Sequence, residues 1–182
     1  AMDVFWTHGY DKASLPLLLE GMGLSRGSFY KAFGDKKSVF LCIMLLYEEK
    51  AVSTAVALLK GGGVPDGLDR IAMLFASIVT AVVEGDTRGC LLCSSAAGPA
   101  SQDLDIGEAT HRLLGRMLDG FRSAIDASHW AKTGDAAKRV ELSQMLLTHY
   151  IGLRTQARAQ VAIPHLQASS EGLMALLRRK ES

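Results

Sequence analysis

Apolar side chains recur at a helical period along most of this chain. Leu68, Ile71, Ala72, Phe75, Ile78, Val79 and Val82 follow the i, i+3, i+4, i+7 spacing that puts them on one face of a helix. Leu114, Met117, Leu118, Phe121 and Ile125 repeat the pattern, as do Leu142, Met145, Leu146, His149, Tyr150 and Leu153. No run of alternating β-branched residues is bounded by hairpin turns, so the pattern predicts an all-α fold. Breakers divide it: Gly61-Gly62-Gly63-Val64-Pro65, Gly98-Pro99 and Thr133-Gly134-Asp135, with Pro164 opening the last segment. The predicted helices are 1–8, 15–22, 26–33, 36–60, 67–85, 89–97, 103–130, 135–162 and 164–180.

Composition narrows the class. Of 182 residues, 48% are hydrophobic and 21% charged, enough to build a core and too apolar for a disordered chain. The net charge is only +1, so any affinity for nucleic acid must come from a local patch. No apolar run reaches the length of a membrane span, and no cationic leader precedes an apolar core; neither a membrane nor a secretory signal is expected. Three cysteines, an odd number, suit a reducing cytoplasm.

The most informative stretch is Ser14–Phe40, SLPLLLEGMGLSRGSFYKAFGDKKSVF. Ser14 can cap a short helix with Pro16 in its first turn. Met22-Gly23-Leu24 reads as a tight turn, with glycine where a positive φ is needed. Ser25 caps the next helix, Phe29 and Phe33 point inward, Gly34 ends it, and Asp35 caps the following one. Two short helices joined by such a turn make a helix-turn-helix. The outer side of the second offers Arg26, Gly27, Ser28 and Lys31: small residues for close approach to a major groove, basic ones for base edges and phosphates. Between Ser25 and Lys37 there are four basic residues (Arg26, Lys31, Lys36, Lys37) and one acidic (Asp35), a local charge of +3.

Gly9-Tyr10, Ser14-Leu15, the run Gly23-Leu24-Ser25-Arg26-Gly27-Ser28-Phe29-Tyr30 with Phe33, and Lys36 together resemble the DNA-binding domain of the tetracycline-repressor (TetR) family. The resemblance covers roughly residues 4–40. It implies that Arg26, Gly27, Ser28 and Lys31 sit in the major groove, that Tyr30 reaches a phosphate, and that Lys36 holds another with help from the helix dipole. It also implies a two-part molecule. Residues 1–45 would bind DNA; residues 46–182 would bind a small-molecule inducer and form a homodimer through the last two helices. Gly152, Ala157, Ala159 and Ala162 allow close helix approach there, and Leu146, Leu153, Leu166, Leu173, Leu176 and Leu177 supply apolar area for the dimer. The expected partners are palindromic double-stranded operator DNA and a hydrophobic inducer, with no cofactor.

Other residues carry weaker chemistry. Phe75, Ile78, Val79, Met117, Phe121, Met145 and His149 lie on apolar stripes of three helices and are the expected lining of an inducer pocket. His149 and Tyr150 read either as satisfied interior side chains or as polar anchors of that pocket. Cys90 and Cys93 share a helix face near Arg88, which suits either apolar filler or a redox- or electrophile-sensing pair. Cys42 reads as core. With neither a second cysteine pair nor suitably spaced histidine, no metal site is expected. A nucleophile elbow, a phosphate-cradling loop and paired apolar carboxylates are all missing from the sequence, which argues against an enzyme; a helical enzyme or carrier with a vestigial helix-turn-helix is the remote alternative.

Overall fold

The computed structural model describes residues 1–61, 63–133 and 135–179. The expected breakers Gly62 and Gly134, and Lys180 at the expected end of the last helix, lie outside the described residues. The described chain is helical: α1 (Met2–Lys12), α2 (Leu15–Met22), α3 (Arg26–Phe33), α4 (Lys36–Tyr47), a π-helical turn Glu48–Val52, α5 (Ser53–Lys60), α6 (Gly67–Val83), α7 (Leu91–Ala97), α8 (Leu104–Asp126), α9 (Ala136–Arg158) and α10 (Ile163–Arg178). Short 3-10 turns cover Pro99–Gln102 and His129–Thr133.

Two differences from the sequence pattern have local causes. The first helix runs on to Lys12, because Gly9 takes φ +75° and kinks the helix without ending it. The segment expected as one helix over 135–162 stops at Arg158, and Gln160 takes φ +57° in the turn that follows.

The chain divides into two compact units. One comprises residues 1–51 and 90–114. Its core is aromatic: Phe5 is stacked near Tyr10 and meets Phe40 edge-on at 4.9 Å, while Trp6 meets Tyr47 edge-on at 5.2 Å. Here α1 packs on α2, α4, α7 and the Pro99–Gln102 turn. Lys37 on α4 lies 3.0 Å from Asp103 and 2.5 Å from Asp105, and Arg112 lies 2.6 Å from Glu48.

The other unit comprises residues 52–89 and 115–182, of which 62, 134 and 180–182 are not described. In it α6 packs against α10, α5 and α9. Asp66 caps α6 by accepting from the Leu68 amide at 2.8 Å. Buried Arg70 donates to the carbonyls of Val64, Pro65 and Leu59, tying the loop before α6 to the end of α5. Gly67, the first residue of α6, presses on the backbone of Ala124, where a Cβ would collide with the carbonyl. Trp130 donates its indole N–H to the Leu177 carbonyl at 3.0 Å, fixing the end of α10.

Candidate nucleic-acid interface

Every boundary of the α2–α3 pair is set by a side chain or a glycine. The Ser14 hydroxyl accepts from the Leu17 amide, and Pro16 occupies the first turn of α2. Gly23 takes φ +64°, ψ +32°, the left-handed conformation that closes a helix, and its amide returns to the carbonyls of Glu20 and Leu19. Ser25 then caps α3: its hydroxyl accepts from the Ser28 amide at 3.1 Å and lies 2.9 Å from the Ser28 hydroxyl. Gly34, at φ +79°, ends α3. Asp35 caps α4 through the Ser38 amide at 2.7 Å, and those hydrogen bonds hold its carboxyl below the usual carboxylate range.

The two sides of α3 differ in chemistry. Phe29 is fully buried, with Phe33 5.8 Å away and Tyr30 packed edge-on at 5.6 Å. Arg26, Gly27, Ser28, Tyr30 and Lys31 are all exposed. A Cβ on Gly27 would meet nothing within 4 Å, so the chain's own packing does not require glycine there. The exposed side therefore combines two cations, hydroxyl groups and a gap in side-chain bulk, a composition that fits against base edges and phosphates.

Lys36 and Lys37 are held differently from what the sequence implies. The Lys36 ammonium sits over the Tyr10 ring, 4.4 Å from its centroid, and donates to the Asp11 carbonyl at 3.4 Å. The amide of Ser38 at the start of α4 is already used by Asp35, so the helix dipole there faces a carboxylate. Lys37 is bracketed by Asp103 and Asp105, which raise its pKa through hydrogen bonds. Their pairing with Lys37 joins positions 66 and 68 residues apart, beyond any local pattern. Arg26 and Lys31 are thus the basic residues carried by α3 itself.

In the second unit the structure brings together only part of the expected inducer lining. Ring contacts connect three of its members: Phe75 lies 6.2 Å from Phe121 and 4.9 Å from His149, and Phe121 lies 6.1 Å from Tyr150. Burial lowers the pKa of His149, and its Nε2 is buried without a hydrogen-bond partner. Phe75 and Val79 line a cleft of about 420 Å³ between α6 and α10, together with Met174, Gln167, Glu171 and Arg178. Met145 and His149 line a separate groove of about 450 Å³ with Leu173 and Thr148. Ile78 and Met117 are buried and line neither hollow. Met145 is 56% exposed, at the edge of the α9 stripe that carries the buried leucines.

The six leucines expected between protomers also separate. Leu146, Leu153, Leu166 and Leu177 are buried within their own chain, whereas Leu173 is half-buried and Leu176 is 60% exposed. The helical period locates an apolar stripe but not what it packs against, and here most of it packs on α9's own neighbours. Cys42, read as core, is exposed on α4. Cys90 is 2% exposed at the N-cap of α7 and accepts from the Tyr47 hydroxyl at 3.5 Å, while Cys93 is half-buried. Among the described residues no helix is long and apolar enough to cross a membrane.

Capped α2 and α3, the glycine turn between them and the polar outer side of α3 define a helix-turn-helix. Residues 1–43 of this chain match the family of bacterial regulatory proteins called tetR. Its fold is similar to that of a cysteine-substituted variant of the TetR family transcriptional regulator CifR, solved with a 26-bp double-strand operator DNA. The likeness covers 96% of this chain and 92% of that one, with a TM-score of 0.82 and 29% identity. In sequence it is 26% identical over 122 residues to the uncharacterized HTH-type transcriptional regulator YezE of Bacillus subtilis (strain 168), covering 66% of this chain and 62% of YezE. It is 28% identical over 139 residues to the HTH-type transcriptional repressor ComR of Escherichia coli (strain K12), covering 66% of this chain and 59% of ComR. The chain thus spans about three fifths of the length of the curated relatives it matches.

Proposed function

We propose that this chain is a cytoplasmic repressor that binds palindromic operator DNA as a homodimer and is released by a small hydrophobic inducer. The observation that carries the reading is the two-sided α3: Phe29 inside, and Arg26, Gly27, Ser28, Tyr30 and Lys31 outside. ComR's description as a repressor, and the operator complex of CifR, support carrying DNA binding and repression over to this chain. In this reading residues 1–45 contact DNA, with Arg26 and Lys31 on base edges or phosphates and Tyr30 and Lys36 on phosphates. Lys36 reaches DNA by leaving the Tyr10 ring.

Dimerisation is assigned to the outward faces of α9 and α10. Leu173 and Leu176 make the contact together with Met145, and Gly152 and Gly172, which have open space at their Cβ positions, let the partner helices approach. The buried leucines Leu146, Leu153, Leu166 and Leu177 shape the surface from behind. The inducer is assigned to residues 46–182, against Phe75, Val79, Phe121 and His149. A dimer reads two half-sites only when its two α3 helices stand about one DNA turn apart, ~34–36 Å. An inducer that binds better to a different spacing lowers operator affinity by its differential affinity for the two states.

The test is a gel shift of the full chain on DNA from upstream of its own gene, followed by footprinting. A protected inverted repeat whose protection is lost with Arg26→Ala supports the reading; salt-independent binding, or none, overturns it. Sedimentation at micromolar concentration checks the dimer.

A further inference from the structure

The cleft between α6 and α10 lies wholly within the 52–89/115–182 unit. Arg178 at the end of α10 reaches Asp69 in the first turn of α6 at 2.6 Å, so the two helices run antiparallel. Alanines open the space between them. Ala76 and Ala175 are exposed on its two rims, and buried Phe75, Val79 and Met174 form its floor. Along α6 it runs from Ala72 to Thr80, about 12 Å at the helical rise. The buried hydroxyl on the floor, Ser170, is used within α10, where it donates to the Leu166 carbonyl at 3.1 Å. A hollow of about 420 Å³ with such a floor has the size and lining that take a small organic molecule.

The two ends of the cleft differ in charge. At one end the Arg178 guanidinium is already paired with Asp69. Toward the other, Gln167 and Glu171 stand one turn apart on α10. Glu171 is exposed, and among the described residues its carboxylate has no ion pair. Of the two charged side chains in the lining, it is the one left uncompensated. A neutral ligand gains nothing from it, and an anion is repelled; a ligand carrying an ammonium group gains a charge-assisted hydrogen bond. Leu173 and Leu176 lie two steps of 100° around α10 from Glu171 and Met174, so the dimer contact proposed above leaves the cleft open.

We propose that the α6–α10 cleft binds an amphipathic aromatic amine. Its apolar body lies over Phe75, Val79 and Met174, and its ammonium donates to the Glu171 carboxylate and the Gln167 amide oxygen. Binding in the cleft stands on this geometry alone. That the amine is the inducer's chemical class, by way of the Phe75 and Val79 assigned to the inducer above, rests on the repressor reading.

Three probes of one shape separate charge from apolar area: 4-phenylbenzylamine, 4-phenylbenzyl alcohol and biphenyl-4-carboxylate. Each is titrated into the full chain at neutral pH, where the amine is protonated, and the affinity is read by calorimetry. The amine is expected to bind about two- to fivefold more tightly than the alcohol, the range of an exposed ion pair, and the carboxylate more weakly than either. Glu171→Gln, a change at an exposed position, is expected to bring the amine down to the alcohol's affinity and leave the alcohol's own unchanged. Ala76→Leu fills the cleft from its rim and is expected to abolish binding of both; should it fail to fold, Ala175→Leu on the facing rim takes its place. Equal affinity for amine and alcohol, a preference for the amine that survives Glu171→Gln, binding that survives the filled rim, or no binding of any probe overturns the proposal. A gel shift with the same amine reads induction separately. Amine binding by a chain with no affinity for operator DNA leaves the cleft site standing and removes the repressor reading; operator binding with no preference for the amine does the reverse.

Discussion

Gly27→Gln separates the fold from the interface, because the two respond with opposite sign. In the free chain a Cβ at 27 meets nothing within 4 Å, and the residue lies in the first turn of α3. Replacing glycine by a good helix former at such a site should stabilise α3 by roughly 0.5–1 kcal/mol. For a chain of this size that corresponds to a rise of about 1–4 °C in the melting temperature. On DNA the same side chain would occupy the space that the groove wall needs. Holding α3 away from the bases removes at least the neighbouring Arg26 contact, about 1–3 kcal/mol, or roughly 5- to 150-fold in Kd. Fluorescence anisotropy on a labelled operator duplex gives the affinity, and circular dichroism gives the melting point. A raised melting point with unchanged operator affinity would show that the Gly27 side of α3 does not enter the groove.

Four further outcomes are expected. Arg26→Ala should relax sequence preference, whereas Lys36→Ala should weaken binding to all sequences and lower the salt slope by about 1; identical effects on cognate and scrambled duplexes would refute the assignment of Arg26. Leu176→Glu should dissociate the dimer in sedimentation while the chain stays folded, and Leu153→Ala should instead cost about 2–5 kcal/mol of folding stability in denaturant titration. His149 has its pKa lowered by burial from 6.5, so the unfolded chain binds more protons as pH falls through 6.5. Its contribution is complete above that pH and is lost below it, and His149→Phe should flatten the dependence of chemical denaturation on pH between 7 and 5. Thiol reagents should label Cys42 first and Cys90 slowest, and Cys90→Ser/Cys93→Ser should retain DNA binding; rapid labelling of Cys90 with loss of DNA binding would favour the thiol-sensing alternative.

The helix-turn-helix was legible residue by residue because its boundaries are written in local chemistry. Ser14, Gly23, Ser25, Gly34 and Asp35 each act on a backbone within a few positions, and α2 and α3 start and stop where those residues place them. The rest depends on contacts distant in sequence. Periodicity found the stripe of Leu146 and Leu153 but could not say that α9 turns it toward its own chain, leaving Met145 outside. Cys42 sits among Phe40, Leu41 and Ile43, yet two steps of 100° around α4 carry the chain from buried Phe40 to exposed Cys42. Nor does composition mark a π turn: Glu48–Val52 reads as ordinary helix, and its extra residue shows only in the backbone.

Gly67 sets a limit of another kind. The loop before it has open space at the Cβ positions of Gly61 and Gly63, so substitutions there meet no neighbour, although Gly63 keeps a left-handed φ. One helix start later the tolerance ends, because any side chain at 67 would be driven into the Ala124 backbone, and the Gly67 amide already donates to the Ala127 carbonyl at 3.1 Å. The registration of α6 against the end of α8 is therefore fixed by the absence of a single methyl group. In a mutational library the two sides of this loop would diverge sharply: position 61 would accept a range of polar replacements, while position 67 would return glycine alone, although it lies far along the sequence from any residue assigned to DNA.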